Sequence, residues 1–216
     1  RNDHAHGDDH PTREALIRAA LTLLETLHPE ELSLDKVLVA SGVSKGSLYH
    51  QFADLNALID EALLLDFGRG VYADIRAITH LTNQVDSKMG LARGLRLITQ
   101  ISQDPALKHR RLRRASLILR AQLDKEFSEK LIVIQRDLSN ALSELILKAQ
   151  DKGWMIETFS PAAGATLVQA YSLGRLVGQI DGDDLPPQEW NQMINTIIEQ
   201  GMMGLPADAL SDDPVN

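Results

Sequence analysis

Eleven consecutive residues, Gly42-Val43-Ser44-Lys45-Gly46-Ser47-Leu48-Tyr49-His50-Gln51-Phe52, concentrate side chains able to grip a polyanion. Lys45 offers a cation, and it can meet a phosphate or a guanine edge. Ser47, Tyr49 and His50 have polar tips suited to bases or phosphates. Gly46 lets a backbone come close to a groove wall. Ser33 and Ser44 stand where helices are expected to begin. Each can hold a phosphate or simply cap its helix, and both roles can coexist. Leu48 and Phe52 are expected to plug the core instead.

Other chemistry is weakly represented. The chain has no HExxH, GxSxG, P-loop or GxGxxG pattern. It has no cysteine, which excludes a disulfide framework, a thiol nucleophile and cysteine metal sites. His80 and His109 lie on separate segments without an obvious acid partner. His4, His6 and His10 alternate with Asp3, Asp8 and Asp9, but ligands on a polar tail lose much entropy on ordering. No enzyme activity, metal or cofactor is expected.

The elements that position the eleven residues follow from local signals. Residues 1–11 are polar and read as a flexible tail. From Thr12, apolar Leu16, Ala20, Leu23 and Leu27 recur at helical spacing, and Pro29 bars continuation. Ser33 caps a short helix over 34–41, with Val37 and Ala40 inward, and Gly42 stops it. Ser44 caps another over 45–51. A further helix starts at Asp54. Whether Gly68 and Gly70 break that helix is left open by the sequence. Two short helices around a glycine turn, braced by a longer one, form a helix-turn-helix pattern, whose second helix suits a major groove. Arg13 and Arg18 of the first helix could flank a DNA backbone.

This stretch resembles the TetR family of bacterial transcriptional regulators. The resemblance rests on Gly-Val-Ser-x-Gly-Ser-Leu-Tyr-x-x-Phe from Gly42 to Phe52, followed by Leu58. It implies an all-α protein with an N-terminal three-helix DNA-binding head, and it marks Tyr49 for phosphate. The family usually has a glycine near His28, a small residue at Leu38 and an alanine at Ser41. It often has a phosphate-binding lysine where this chain has Leu55. The expected organisation is a tail over 1–11 and a head over 12–53, with the start of the fourth helix over 54–67. A ligand-binding and dimerisation domain follows over 68–205, then an acidic tail over 206–216.

Beyond the head, helical periods continue. Leu91, Leu95 and Ile98 mark one helix, and residues 106–122 mark another. The latter holds the run Lys108–Arg114, in which Arg110, Arg113 and Arg114 recur at helical spacing, more consistent with a solvated or salt-bridged face than with a nucleic-acid patch. Leu131, Ile134, Leu138, Leu142, Leu145 and Ala149 form a stripe on a long helix over 124–152. Ser160-Pro161 and Pro186-Pro187 open the last two helices. By resemblance these two form the dimer contact, here assigned to Gly164, Tyr171, Gly174, Gly178, Trp190, Ile194, Ile197 and Gly201. A small-molecule pocket is expected among Met89, Ile101, Leu117, Phe127, Trp154, Val168 and Tyr171.

The whole chain has 216 residues, a net charge of −8 and 44% hydrophobic residues. Its apolar runs fall short of the ~18 residues a membrane helix needs, and no basic-then-apolar leader opens it. A cytoplasmic homodimer that binds a palindromic double-stranded operator, and releases it when a small molecule binds, is the expectation. The rival is a helical small-molecule sensor with a decayed head, acting through a protein partner. Residues 1–68 motivate it, with 5 Lys and Arg against 12 Asp and Glu, together with Leu55.

Overall fold

A computed structural model of the chain describes residues 9–178 and 185–209. Among these residues there are helices and turns but no strand. The α-helices are α1 (Asp9–Leu24), α2 (Leu34–Ser41), α3 (Lys45–Gln51), α4 (Leu55–Gln84), α5 (Lys88–Ser102), α6 (Lys108–Leu123), α7 (Lys125–Asp151), α8 (Pro161–Gly178) and α9 (Pro187–Thr196). The chain divides between Gly70 and Val71 into two compact units.

In the first unit, α1 lies against α2 and α3. Leu16, Ala20 and Leu24 of α1 are buried, as are Val37, Leu48, Phe52 and Leu58, and they supply the apolar core of this unit. Burial of each large side chain contributes roughly 1.5–3 kcal/mol, which lets helices of 7 and 8 residues persist although neither would be stable alone. Three details differ from the sequence reading. Helix α1 begins at Asp9, so the tail does not extend to residue 11. Pro11 fits because the first-turn N–H groups of a helix need no intrahelical partner. Ala40 is exposed, not inward, since the short α2 presents only Val37 as a buried residue. Helix α4 runs unbroken through Gly68 and Gly70. Gly68 is buried, and that packing offsets its low helix propensity.

In the second unit, α7 packs along α8 and beside α6, α6 touches α8, and α5 lies on α9. Leu131, Leu138, Leu142, Leu145, Ile146 and Ala149 form the buried stripe of α7, with Ile134 at its half-buried margin. Asp124 caps α7 by accepting from Phe127 N at 3.0 Å. Gly153, at φ +68, ends it in the left-handed region that glycine enters freely. Gln150 then ties down the following loop, donating to Ile156 O at 2.9 Å and Phe159 O at 3.0 Å. An Arg96–Glu199 ion pair fastens α5 to the wider π-type turn over Ile197–Met202 that extends α9.

Candidate nucleic-acid interface and effector region

The turn between α2 and α3 is built by its own side chains. Ser33 caps α2, accepting from Lys36 N at 3.4 Å. Gly42 leaves α2 at φ +67, and its N–H donates to Leu38 O at 3.0 Å. Ser41 stands where an alanine is usual in the family resembled. Its hydroxyl donates to Leu38 O at 3.4 Å and accepts from Val43 N at 3.2 Å, so it closes the turn. His28 stands near a usual glycine. Its φ of −73 is open to any residue, and its N–H donates to Glu31 at 2.7 Å.

Ser44 caps α3, accepting from Ser47 N at 3.1 Å, with Ser47 Oγ 2.9 Å away. Both serines of the notable pair Ser33 and Ser44 therefore act as caps. Leu48 is fully buried, and that fixes the rotation of α3. The same rotation leaves Ser44, Lys45, Gly46, Tyr49 and His50 exposed, with Ser47 half-buried. Lys45 Nζ lies 6.0 Å from the Tyr49 ring centroid. The outer face of α3 thus offers a cation, a phenol and an imidazole on adjacent turns. Such a face can meet phosphates and base edges in a major groove.

Arg13 is engaged within the head. Its guanidinium donates to Gln51 O at 2.9 Å, pairs with Glu61 and lies over the Phe52 ring. Lys36 is also engaged, its Nζ donating to Glu31 O at 2.8 Å. The metal-binding side chains considered in the tail, His4, His6, His10, Asp3, Asp8 and Asp9, lie outside the described side chains. Among the described residues no group of three or more His, Asp or Glu could hold a metal ion.

The expected pocket residues are not assembled around one cavity. Leu117, Phe127 and Tyr171 are buried, Met89, Trp154 and Val168 are half-buried, and Ile101 is 56% exposed. Ile101 faces out because α5 buries Leu91, Ala92 and Thr99 on its other side. Phe127 sits in the first turn of α7, and Trp154 lies just past its end. A helix of 27 residues is about 40 Å long at ~1.5 Å per residue, too far for both to touch one small ligand. Phe127 carries Arg120 over its ring at 4.9 Å, and Trp154 carries Lys152 at 4.3 Å. A shallow cavity of about 380 Å³ occurs where α6 turns into α7, lined by residues such as Leu123, Ser128 and Ile132 and by none of the seven.

The dimer assignment also changes. Gly164 is buried within the chain, and a methyl there would meet Ile146 at 2.8 Å and Phe159 at 2.9 Å. Tyr171 is buried, its hydroxyl 3.1 Å from Thr99 Oγ1. Gly174 faces the half-buried Trp190, and Ile194 is buried. Gly164 and Tyr171 belong to the protomer core because α8 packs against α6 and α7, and Ile194 does because α9 packs on α5; Gly174 and Trp190 meet each other at its half-buried margin. Gly178 closes α8, and Ile197 and Gly201 are exposed. Among the described residues, the large apolar side chains left exposed on α8, α9 and the π-type turn that extends α9 are Leu167, Val177, Met193 and Ile197.

Sequence reasoning missed a polar seam in this unit. Thr99 and Gln103 of the α5 end are fully buried against α8, and Gln103 Nε2 approaches Ser172 O at 3.4 Å. Arg111 is buried too. Arg114 donates to Gln169 at 2.8 Å, and burial holds it below the ordinary arginine value, partly countered by Asp74. The basic run is therefore divided: Arg111 is drawn into the fold, while Arg110 and Arg114 share the charge of Asp74, as the charged-pair alternative for this face expects. The signal was present, since Arg111 and Arg114 share the helical stripe of the core residue Leu117.

No family model matches the sequence, and no curated protein matches it. Solved structures do match. Salmonella enterica GusR is 22% identical, with 94% of this chain and 100% of that chain covered at a TM-score of 0.63. A TetR-family transcriptional regulator from Cytophaga hutchinsonii is 14% identical, covering 92% and 98% at a TM-score of 0.67. A protein from Saccharomonospora viridis, described as a transcriptional regulator and solved in complex with choline, is 14% identical, covering 88% and 96% at a TM-score of 0.68. Along nearly its whole length, this chain has the all-α fold of TetR-family transcriptional regulators.

Proposed function

We propose that the protein is a ligand-responsive, DNA-binding transcriptional regulator, a repressor of the TetR type. The observation that carries this is the outer face of α3. Lys45, Tyr49 and His50 stand exposed on a helix whose rotation is fixed by the buried Leu48. The shared fold supports the reading, and the choline complex of one such fold supports a small-molecule effector. Leu167, Val177, Met193 and Ile197 offer α8 and α9 an apolar face suited to a second copy. A C2 homodimer presents two α3 helices to a palindromic duplex. The effector must bind the release-competent state more tightly than the DNA-bound one. No described helix is long and apolar enough to cross a membrane, and a cytoplasmic location accords with the role.

A mobility-shift assay with the duplex upstream of the protein's own gene tests this. A retarded band competed by the same duplex, and not by an unrelated one, is expected. Leu55 and the acidic head favour a second reading, a sensor that acts through a protein partner. Absence of any shift at low salt would hand the function to it.

A further inference from the structure

Arg111 on α6 and Arg175 on α8 stand on helices that pack against each other. Arg111 is 5% exposed. Its Nη1 donates to Ser102 O at 2.9 Å and Asp104 O at 3.0 Å, the carbonyls at the end of α5. Its Nε and Nη2 are buried and have no hydrogen-bond partner among the described residues. These two atoms form the guanidinium edge whose N–H bonds run parallel, the edge that matches both oxygens of a carboxylate. Arg175 donates through Nη2 to Leu185 O at 3.1 Å, while its Nη1 is buried without a partner.

The charges add to the case. Burial pushes Arg111 below the ordinary arginine value, the positive charge of Arg175 pushes it further down, and Asp104 offsets part of this. Asp104 is exposed and spends Oδ1 on Ala106 N at 2.8 Å. Buried charges in proteins are normally paired, and buried donors normally satisfied. Two like charges with open, buried donors between packed helices call for a negative occupant.

We infer that Arg111 and Arg175 form an anion site that takes the carboxylate of a small organic ligand. The Nε–Nη2 edge of Arg111 grips both oxygens, and Arg175 supplies a second cation. The donors are closed off from solvent, so the ligand enters by displacing what packs over them. Its binding then favours a state other than the one described, which is what an effector must do. That consequence rests on the regulator reading, whereas the binding itself does not.

The test is thermal unfolding of the full chain, without DNA, in sodium acetate, sodium benzoate, inorganic phosphate and sodium chloride at equal ionic strength. The carboxylates should raise Tm by roughly 3–6 °C at about ten times Kd, with chloride and phosphate well behind. Arg111→Lys keeps the charge but loses the fork, and should lose most of the response. Arg175→Gln should weaken carboxylate affinity at least fivefold, and it keeps the test open if the Arg111 variant does not fold. Equal shifts in chloride, a response to phosphate alone, no response to any anion, or an unchanged response in both variants would each overturn the inference. Because no DNA is present, failure here leaves the regulator reading standing, and failure of the mobility shift leaves this site standing.

Discussion

The guanidinium carbon of Arg13 lies 4.4 Å from the centre of the Phe52 ring, and the same group donates to Gln51 O at 2.9 Å. A residue of α1 thereby closes the C-terminal end of α3. The cation complements the carbonyl end of that helix, and the ring face favours it as well. Arg13→Ala should cost about 1–2 kcal/mol of stability, the sum of one charged hydrogen bond and one partly exposed cation–ring contact. It should also weaken DNA binding evenly across operator variants, because it loosens the whole of α3. Denaturant unfolding with binding to a panel of duplexes checks both. An unchanged midpoint would show that the clamp contributes nothing.

With Arg13 and Lys36 engaged inside the head, few cations remain for phosphates. A dimer using Lys45 and one further cation per head would show a log K against log salt slope of roughly 2–4 in magnitude. Titrations from low to moderate salt measure it. A slope near 10 would mean that basic residues outside α3 carry the binding.

Two substitutions separate protomer packing from dimerisation. A methyl on the buried Gly164 would fall 2.8 Å from Ile146 Cδ1 and 2.9 Å from Phe159 Cε2, and Ile146 is itself fully buried. Gly164→Ala should therefore destabilise the second unit by about 1–3 kcal/mol through overpacking. Val177 is 71% exposed, so Val177→Glu should leave protomer stability within about 0.5 kcal/mol and yet drive the dimer apart. Sedimentation of both variants decides. A dimer undisturbed by Val177→Glu would remove the α8–α9 face as the contact.

Tyr171 sets an alkaline limit. Burial raises its phenol above the ordinary tyrosine value, and the Thr99 hydrogen bond only partly opposes this. A phenol whose folded pKa is raised adds stability that is complete below its unfolded value of about 10 and is lost as pH rises beyond it. Stability measured from neutral pH upward should fall in that window. Tyr171→Phe should lack this part of the fall. It should also cost about 1 kcal/mol at neutral pH, because Thr99, fully buried, loses its partner. Matching alkaline profiles for the two proteins would refute the assignment.

The head was legible because its signals are local. Ser33, Gly42 and Ser44 each mark a helix end within one turn, so the limits of α2 and α3 could be read directly. The stripe of α7 was equally plain. The small residues of α8 were not, since periodicity shows that Gly164 and Gly174 share a face but not whether that face meets Ile146 and Trp190 or a second chain. The pocket failed for a similar reason. Phe127 and Trp154 look alike as apolar candidates, and only helix length separates them. Arg111 and Arg175 are 64 positions apart, and their pairing depends on how α6 meets α8.

The central claim is that α3 reads DNA, and affinity for the upstream duplex, compared among wild type, Lys45→Ala and Tyr49→Phe, tests it most directly. Tyr49 is 49% exposed, so loss of its hydroxyl should leave the fold intact. Tyr49→Phe should lose about 1 kcal/mol per half-site, evenly over operator variants, as a phosphate hydrogen bond would. Lys45→Ala should either lose affinity evenly with a shallower salt slope or relax discrimination at one base pair, and the pattern separates phosphate contact from base readout. Wild-type affinity in both variants would contradict the account and leave the head without a role on DNA.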